Sequence, residues 1–375
     1  MARNWSKFGE RYTRPTGALE LMEDLGVATD NEESTLLLGG GNPGRIPEVQ
    51  AIFKRRLAEI TASDENFERL VGNYADPKGE RRFRRVLAEL LAREYGWNLT
   101  AENVALSAGS QAGFFLLFNL LAGEFSDGSR KRILLPVTPE YIGYTDVGLD
   151  EDHFIAQLPN VQELPGDYFK YRVNFGGLSI TDEIAAVCVS RPTNPTGNVI
   201  TDSELRKLDS LAKAGGVPLI IDSAYGLPFP RIVFTDATPL WNENVILCMS
   251  LSKLGLPGVR TGIIVAAEEV IAALTQMTAV LSLAVGSVGP VLTEQFLANG
   301  EILSMSEQLI MPFYHRKALA TCERLHAELE GIPHKLHTPE GAFFVWLWLP
   351  GLPISSAELY VRLKDSGVLV VSGHH

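Results

Sequence analysis

Lys253 follows directly on NVILCMSLS, a run apolar enough to form a buried strand, and precedes the turn-forming LGLPG and Arg260. Desolvation at such a place lowers an ammonium pKa toward the range where the free amine is a nucleophile. The bland alternative is a lysine whose stem lies along the core while its head reaches a carboxylate or water. Asp222 closes another apolar run, VPLIID, with Tyr225 three residues on. A carboxylate there needs a cation, a donor or a helix to cap. Gly109, Ser110 and Gln111 follow VALS and open an apolar helical stretch. Their N–H groups can cradle an anion such as a phosphate, or belong to an ordinary helix start. Tyr141, with Tyr144 near it, follows RILLPV and offers an aromatic plate or simple packing. Asn194-Pro195, after IAAVCVS, is a turn signal whose peptide bond is a candidate for cis.

Each of these residues sits at or just beyond the end of a short apolar run. The runs cover 104–107, 132–137, 184–190, 217–222, 245–250 and 262–266. Helical stretches separate several of them, among them QAGFFLLFNLLAG and SELRKLDSLAKAG. For the second, Thr201 or Asp202 is the expected N-cap and Gly215 the expected stop. Nearly continuous apolar strands alternating with helices predict a largely parallel sheet covered on both faces. Ligands of such sheets bind outside the carboxyl ends of the strands. A phosphate cradle, an aromatic plate, a carboxylate, a phenol and an amine would then share one sheet edge. Pyridoxal 5′-phosphate fits that set: lysine forms a Schiff base with it, and a carboxylate keeps its pyridine nitrogen protonated. Beyond residue 300 the pattern changes to a helical region over 301–330, an aromatic strand over 341–348, a helix over 356–366 and a strand VLVV. This predicts a smaller α+β unit completed by the N-terminal segment.

Composition bounds the partners. The chain has 375 residues, enough for one large and one small domain, and is 46% hydrophobic. Lys and Arg number 33 against 45 Asp and Glu, a formal charge of −12, and the only basic cluster is Arg81, Arg82, Arg84 and Arg85. That balance argues against nucleic acid or an anionic membrane as the main partner. Cys188, Cys248 and Cys322 stand singly among apolar residues, as reduced core thiols of a cytoplasmic protein would, and indicate neither a disulfide framework nor a metal site. The opening MARNWSKFGERYTRP lacks the apolar core of a signal peptide. Val270 to Thr293 is uncharged but interrupted by polar residues, Gly286, Gly289 and Pro290, which predicts a buried or subunit-facing helix and a loop rather than a membrane span.

The sets Asn194-Pro195-Thr196-Gly197-Asn198, Asp222-Ser223-Ala224-Tyr225 and Ser250-Leu251-Ser252-Lys253, in this order and approximate spacing, resemble the class I/II aminotransferases of fold type I. The likeness runs from GGGNP near residue 40 into GAFFVW and so covers most of the chain. It implies an α/β fold. A large cofactor domain, 46–305, would hold a mostly parallel seven-stranded sheet covered by helices, and 1–45 with 306–375 would form a smaller α+β domain. By this resemblance Lys253 carries pyridoxal phosphate, Asp222 pairs with its ring nitrogen, and Tyr225 and Asn194 hydrogen-bond its ring oxygen. Tyr141 stacks on the ring. Gly109, Ser110, Gln111, Ser250, Ser252 and Arg260 hold the phosphate, although Lys253 and Arg260 lie one residue closer together than in aspartate aminotransferase-like members. Tyr74 of NYADPKGE would reach the phosphate of a second subunit, which implies a homodimer, while Gly40, Gly41 and Asn194 line the substrate carboxylate side.

The implied activity is amino-group exchange between an amino acid and a 2-oxo acid. The stretches LLLGGGNPGRIPE, PEYIGYTDVGLDED, SRPTNPTGNVITD and SLSKLGLPGVR resemble one branch of the family, and that resemblance implies L-valine and pyruvate as the pair. An alanine, branched-chain or aromatic aminotransferase, a β-lyase and a non-catalytic regulatory protein that binds the same cofactor stay open as alternatives. In the family an arginine beyond a stretch like GVLVVSGH grips the substrate carboxylate. Here that stretch ends at His374-His375, and Arg362 lies outside the matching motif, so the resemblance implies either a small domain shortened at its C-terminal end or a carboxylate held differently.

Overall fold

The computed structural model describes residues 4–14, 16–17, 19, 23 and 35–373, so His374 and His375 lie outside the described residues. The strands in chain order are β1 (Leu36–Leu37), β2 (Val104–Ser107), β3 (Gly123–Glu124), β4 (Arg130–Leu135), β5 (Phe154–Ala156), β6 (Asn160–Leu164) and β7 (Tyr168–Arg172). They continue with β8 (Ile184–Ser190), β9 (Leu219–Asp222), β10 (Val245–Ser250), β11 (Gly262–Val265), β12 (Lys335–His337), β13 (Leu347–Trp348) and β14 (Val368–Leu369). The main sheet is ordered β2-β11-β10-β9-β8-β4-β3, seven strands, with β5 added beside β4. β10, β9, β8, β4 and β5 pair in parallel, whereas β11 runs antiparallel to both β10 and β2.

Alternation along these strands feeds two cores. Leu247 and Met249 of β10 join Val187, Ile221 and Ile263 in one apolar layer. Ile246 and Cys248 join Ala186, Ile220 and Ile264 in the other. A strand with both faces covered must be apolar at every position, which is why β8 and β10 read as unbroken apolar runs. Each such side chain contributes about 1.5–3 kcal/mol when fully buried. The helix Asp202–Ala214 starts on a capping box, in which the Thr201 side chain accepts from Glu204 N–H and Glu204 reaches back to Thr201, and Gly215 stands at its end.

The uncharged stretch from Val270 divides into the helices Glu268–Ser282 and Val288–Ala298, separated by a turn at Leu283. No helix of the described residues is long and apolar enough to cross a membrane. All three cysteines are free and buried.

A second sheet is ordered β13-β12-β7-β6, and β1 pairs in parallel with β14. The aromatic strand expected over 341–348 is strand only at Leu347–Trp348. Upstream, Ala342 N–H donates to Ile232 O at 2.8 Å, and Gly341 bridges to Val233. The backbone's partners there belong to a loop of the main sheet, so no ladder forms, and Phe343 and Phe344 turn their rings onto Tyr225.

Candidate active site

Strand register sets the site. Ser190 at the end of β8 pairs with Asp222 at the end of β9, which is level with Cys248 of β10. Parallel partners point to the same face, so Ser190 and Asp222 emerge side by side at the carboxyl edge. Asp222 is buried. Its Oδ2 accepts the Tyr144 hydroxyl at 2.7 Å and its Oδ1 accepts Ala224 N–H at 2.9 Å. Burial pushes its carboxyl up, while the Tyr144 and Ala224 donors and the Lys253 charge act in the opposite sense.

Lys253 stands in a short 3-10 turn, Ser252–Leu254, just beyond β10. Its Nζ donates to Gly41 O at 2.5 Å and lies 5.2 Å and 5.4 Å from the ring centres of Tyr225 and Phe343. Burial, reinforced by the Arg260 charge and opposed by Asp222, pushes the amine down to about 8. The amine singled out in the sequence thus lies beyond the end of β10, largely buried, with its ammonium form disfavoured. β1 and β14 bring Gly40 and Gly41 here, since Leu38 N–H donates to Leu369 O at 2.8 Å just before the glycines.

The anion cradle lies beside it. The helix Ser110–Leu121 begins with no side-chain cap, so its first N–H groups face outward unsatisfied. Gly109 has φ +86°, and a Cβ there would lie 2.1 Å from Arg260 Nη2, so the guanidinium occupies the space in front of the helix start. Arg260 Nη1 also approaches Ser252 Oγ at 3.4 Å. An uncapped helix end and a guanidinium converging on one space suit a phosphate. Two of the proposed phosphate ligands are engaged elsewhere: Ser250 Oγ accepts from Ser252 N–H at 3.1 Å, and Gln111 Nε2 donates to Gly143 O at 2.7 Å. Gln111 can offer the cradle its backbone N–H.

Tyr141 feels both the Asp222 and Arg260 charges; burial and the Asp222 charge push its phenol up, and its ring is edge-on to Tyr144. Tyr225 is buried against Phe343 and Phe344, and burial holds its phenol well above the ordinary value. Asn194 sits in the loop 192–198, and the Asn194–Pro195 peptide is cis. Arg191 holds this loop to the fold through Ile200 O at 2.9 Å, Thr238 O at 2.8 Å and Asp202 at 2.6 Å. Tyr74 stands apart, 86% exposed, and Arg362 is an exposed partner of Glu358 on its own helix.

A cleft of about 260 Å³, lined by Asn42, Gly44, Arg45, Lys253, Gly255 and Tyr314, opens onto the amine. Comparison with known proteins decides what family such a site belongs to. Residues 54–375 match the family model described as aminotransferase class I and II. The chain belongs to the class I and II aminotransferases. It is 48% identical over 373 residues to the valine–pyruvate aminotransferase of Escherichia coli K12, covering 99% of this chain and 88% of that one. Among solved structures, a putative amino-acid aminotransferase from Psychrobacter arcticum superposes with a TM-score of 0.96 at 44% identity, covering 99% of this chain and 89% of that one. The valine-pyruvate aminotransferase of Salmonella typhimurium gives 0.87 at 46% identity, covering 96% and 88%.

Sequence reasoning passed over several residues of this aminotransferase site. Tyr144 was noted only as a neighbour of Tyr141, yet it is the hydroxyl donor to Asp222. Tyr314, whose hydroxyl accepts Gly44 N–H at 2.8 Å, and Phe343 line the space by Lys253 from segments 61 and 90 residues further along the chain, and no local motif marks them. Ser190 and Glu140 were also missed. The signal for Ser190 was available: it is the single polar residue of an otherwise apolar strand.

Proposed function

We propose that this aminotransferase exchanges the amino group between L-valine and pyruvate, with pyridoxal phosphate held by Lys253. The observation that carries the reading is the pairing of an amine lowered to about 8 with a buried, doubly hydrogen-bonded Asp222 at one sheet edge. When bound, the cofactor supplies an electron sink for the charge that develops at the substrate Cα. Asp222 holds a proton at the pyridine nitrogen, because an anion beside that atom favours its charged form. Arg260, Ser252 and the N–H groups of Ser110 and Gln111 hold the phosphate, and Tyr225 and Asn194 donate to the ring oxygen. Lys253 Nζ, neutral in a useful fraction near pH 8, would take the proton from substrate Cα and deliver it to the cofactor's C4′ in the same half-reaction.

Substrate class is read from the aromatic wall beside Lys253. Tyr314 stacks on Phe343 at 5.1 Å, and Phe343 meets Tyr225 edge-on at 5.1 Å. This aromatic surface excludes water and suits a branched apolar side chain, in agreement with the Escherichia coli relative's substrates. Gly40 and Gly41 would line the carboxylate side. Residues 46–305 and the pair 1–45 with 306–375 form the two bodies around the cleft, with the β7–β12 pairing between them. The exposed Tyr74 would reach the phosphate of a second copy in a homodimer, and three reduced thiols suit a cytoplasmic setting.

The test is to follow absorbance on adding pyridoxal phosphate, reduce with borohydride and map the labelled peptide, then assay valine with pyruvate. Expected are a label on Lys253 and equimolar 3-methyl-2-oxobutanoate and alanine. Label on another lysine, or ammonia in place of alanine, would overturn the reading in favour of a different site or a lyase. A saturated protein that forms neither product would be a cofactor-binding regulator.

A further inference from the structure

A line of hydrogen-bonding groups runs from Glu140, a partly buried residue on the loop after β4, to Asp222. Ser190 N–H donates to Glu140 Oε1 at 2.9 Å, and Ser190 Oγ lies 2.5 Å from Glu140 Oε2. Ser190 Oγ is also 3.3 Å from the Tyr144 hydroxyl, which donates to Asp222 Oδ2 at 2.7 Å. Ser190 and Tyr144 are each 2% exposed, so water does not supply the missing partners.

Counting protons orders this line. Asp222 must be ionised to pair with a protonated ring nitrogen, so the single hydroxyl proton of Tyr144 goes to Asp222. The contact between Ser190 and Tyr144 then has only the serine proton available. If that proton points to Tyr144, Ser190 must accept from Glu140, and only a protonated carboxyl can donate. If Glu140 is ionised instead, Ser190 donates to it, and two buried oxygens face each other across 3.3 Å with no proton between them.

We propose that Glu140 is held as a neutral carboxylic acid at the head of a one-way donor chain, through Ser190 and Tyr144, that positions Asp222 and keeps it anionic beneath the cofactor's ring nitrogen. This rests on the cofactor assignment above. Glu140, Ser190 and Tyr144 are positioning residues, since none of them touches substrate. The groups around Glu140 agree. The strongest influences on it are burial, the Ser190 hydroxyl and N–H, the Asp222 carboxylate and the Tyr141 N–H, and Tyr144 and the buried Cys188 thiol interact with it as well. Burial, with the Asp222 charge adding to it, pushes the Glu140 carboxyl up to about 8.

Two measurements test the chain. Infrared spectra of wild type and Glu140→Gln, both with pyridoxal phosphate bound, should differ by the carbonyl stretch of one protonated carboxylic acid. The second is the ring-nitrogen resonance of bound ¹⁵N-labelled pyridoxal phosphate. Glu140→Gln should leave it in place, because the amide NH₂ donates to Ser190 Oγ and the amide oxygen still accepts the Ser190 N–H. Tyr144→Phe removes a donor to a charged carboxylate and should shift the ring proton toward Asp222 by roughly tenfold or more. Ser190→Ala should shift it less, in the same direction. A wild-type spectrum without the protonated-acid band overturns the proposal. So does an E140Q resonance displaced as far as that of Y144F, or a Y144F resonance that does not move. A wild-type protein that takes up no pyridoxal phosphate overturns the cofactor assignment instead, and with it the premise that Asp222 is ionised.

Discussion

Replacing Lys253 by methionine tests the electrostatics of the site without any cofactor. The amine falls from its ordinary 10.5 to about 8, chiefly through burial. At about 1.4 kcal/mol per tenfold, the fold disfavours the ammonium by about 3 kcal/mol at most, the residue being only partly buried. Lys253→Met keeps an unbranched stem but removes the charge and the bond to Gly41 O, the latter worth about 1 kcal/mol. Because the folded value lies below the unfolded one, the unfolded chain binds more protons between pH 8 and 10.5, and wild-type stability rises with pH across that window. At pH 7 the cofactor-free variant should therefore be more stable than wild type by about 2 kcal/mol. Near pH 10.5 it should be less stable by about 1 kcal/mol. Urea unfolding of both proteins across this range is the assay. Tyrosines and cysteines that titrate there are common to both proteins and largely cancel in the difference. A difference that stays flat from pH 7 to 10.5 would refute the reasoning, because Lys253 would then be an ordinary surface amine.

Three further outcomes follow from the same geometry. Asp222→Asn should retain much of the cofactor yet lower turnover by roughly 10²–10³-fold, since an amide cannot hold the ring nitrogen protonated; near-normal turnover would remove Asp222 from that role. Arg260→Ala should weaken pyridoxal phosphate binding by roughly 10–100-fold and binding of unphosphorylated pyridoxal far less, which equilibrium dialysis would reveal; equal losses would place the guanidinium away from the phosphate. Gly197→Ala should cost about 1–3 kcal/mol in thermal or urea unfolding. Gly197 has φ +73°, and an added Cβ would lie 2.8 Å from Gly341 O. A neutral substitution would mean that the loop bearing Asn194 does not pack against Gly341.

Some of this was readable one strand at a time. β8 and β10 are apolar at every position before their terminal serines, and the polar residues that end these strands and β9, or follow them, are conspicuous against that background. The Thr201 capping box is likewise a property of four consecutive residues. The antiparallel direction of β11 was not readable, because a short apolar run carries no record of its orientation. The late start of the strand expected over 341–348 was hidden for a related reason. Its composition favours a ladder, but the loop at Val233 captures its backbone first. The contact of Lys253 with Gly41 joins residues 212 apart in sequence, and no spacing rule reaches that far.

The sequence by itself determined the kinds of groups available and the edge where they would meet. Burying an unbroken apolar strand forces its polar terminus to the sheet margin, and a parallel sheet aligns those margins. Only the tertiary structure decided their partners and hence their protonation. The amine becomes a nucleophile through burial beside Arg260, and Asp222 is held by Tyr144, which arrives from another loop. Hydrogen-bond and desolvation energies change over an ångström or two, a scale set by packing between distant segments rather than by the order of residues along the chain.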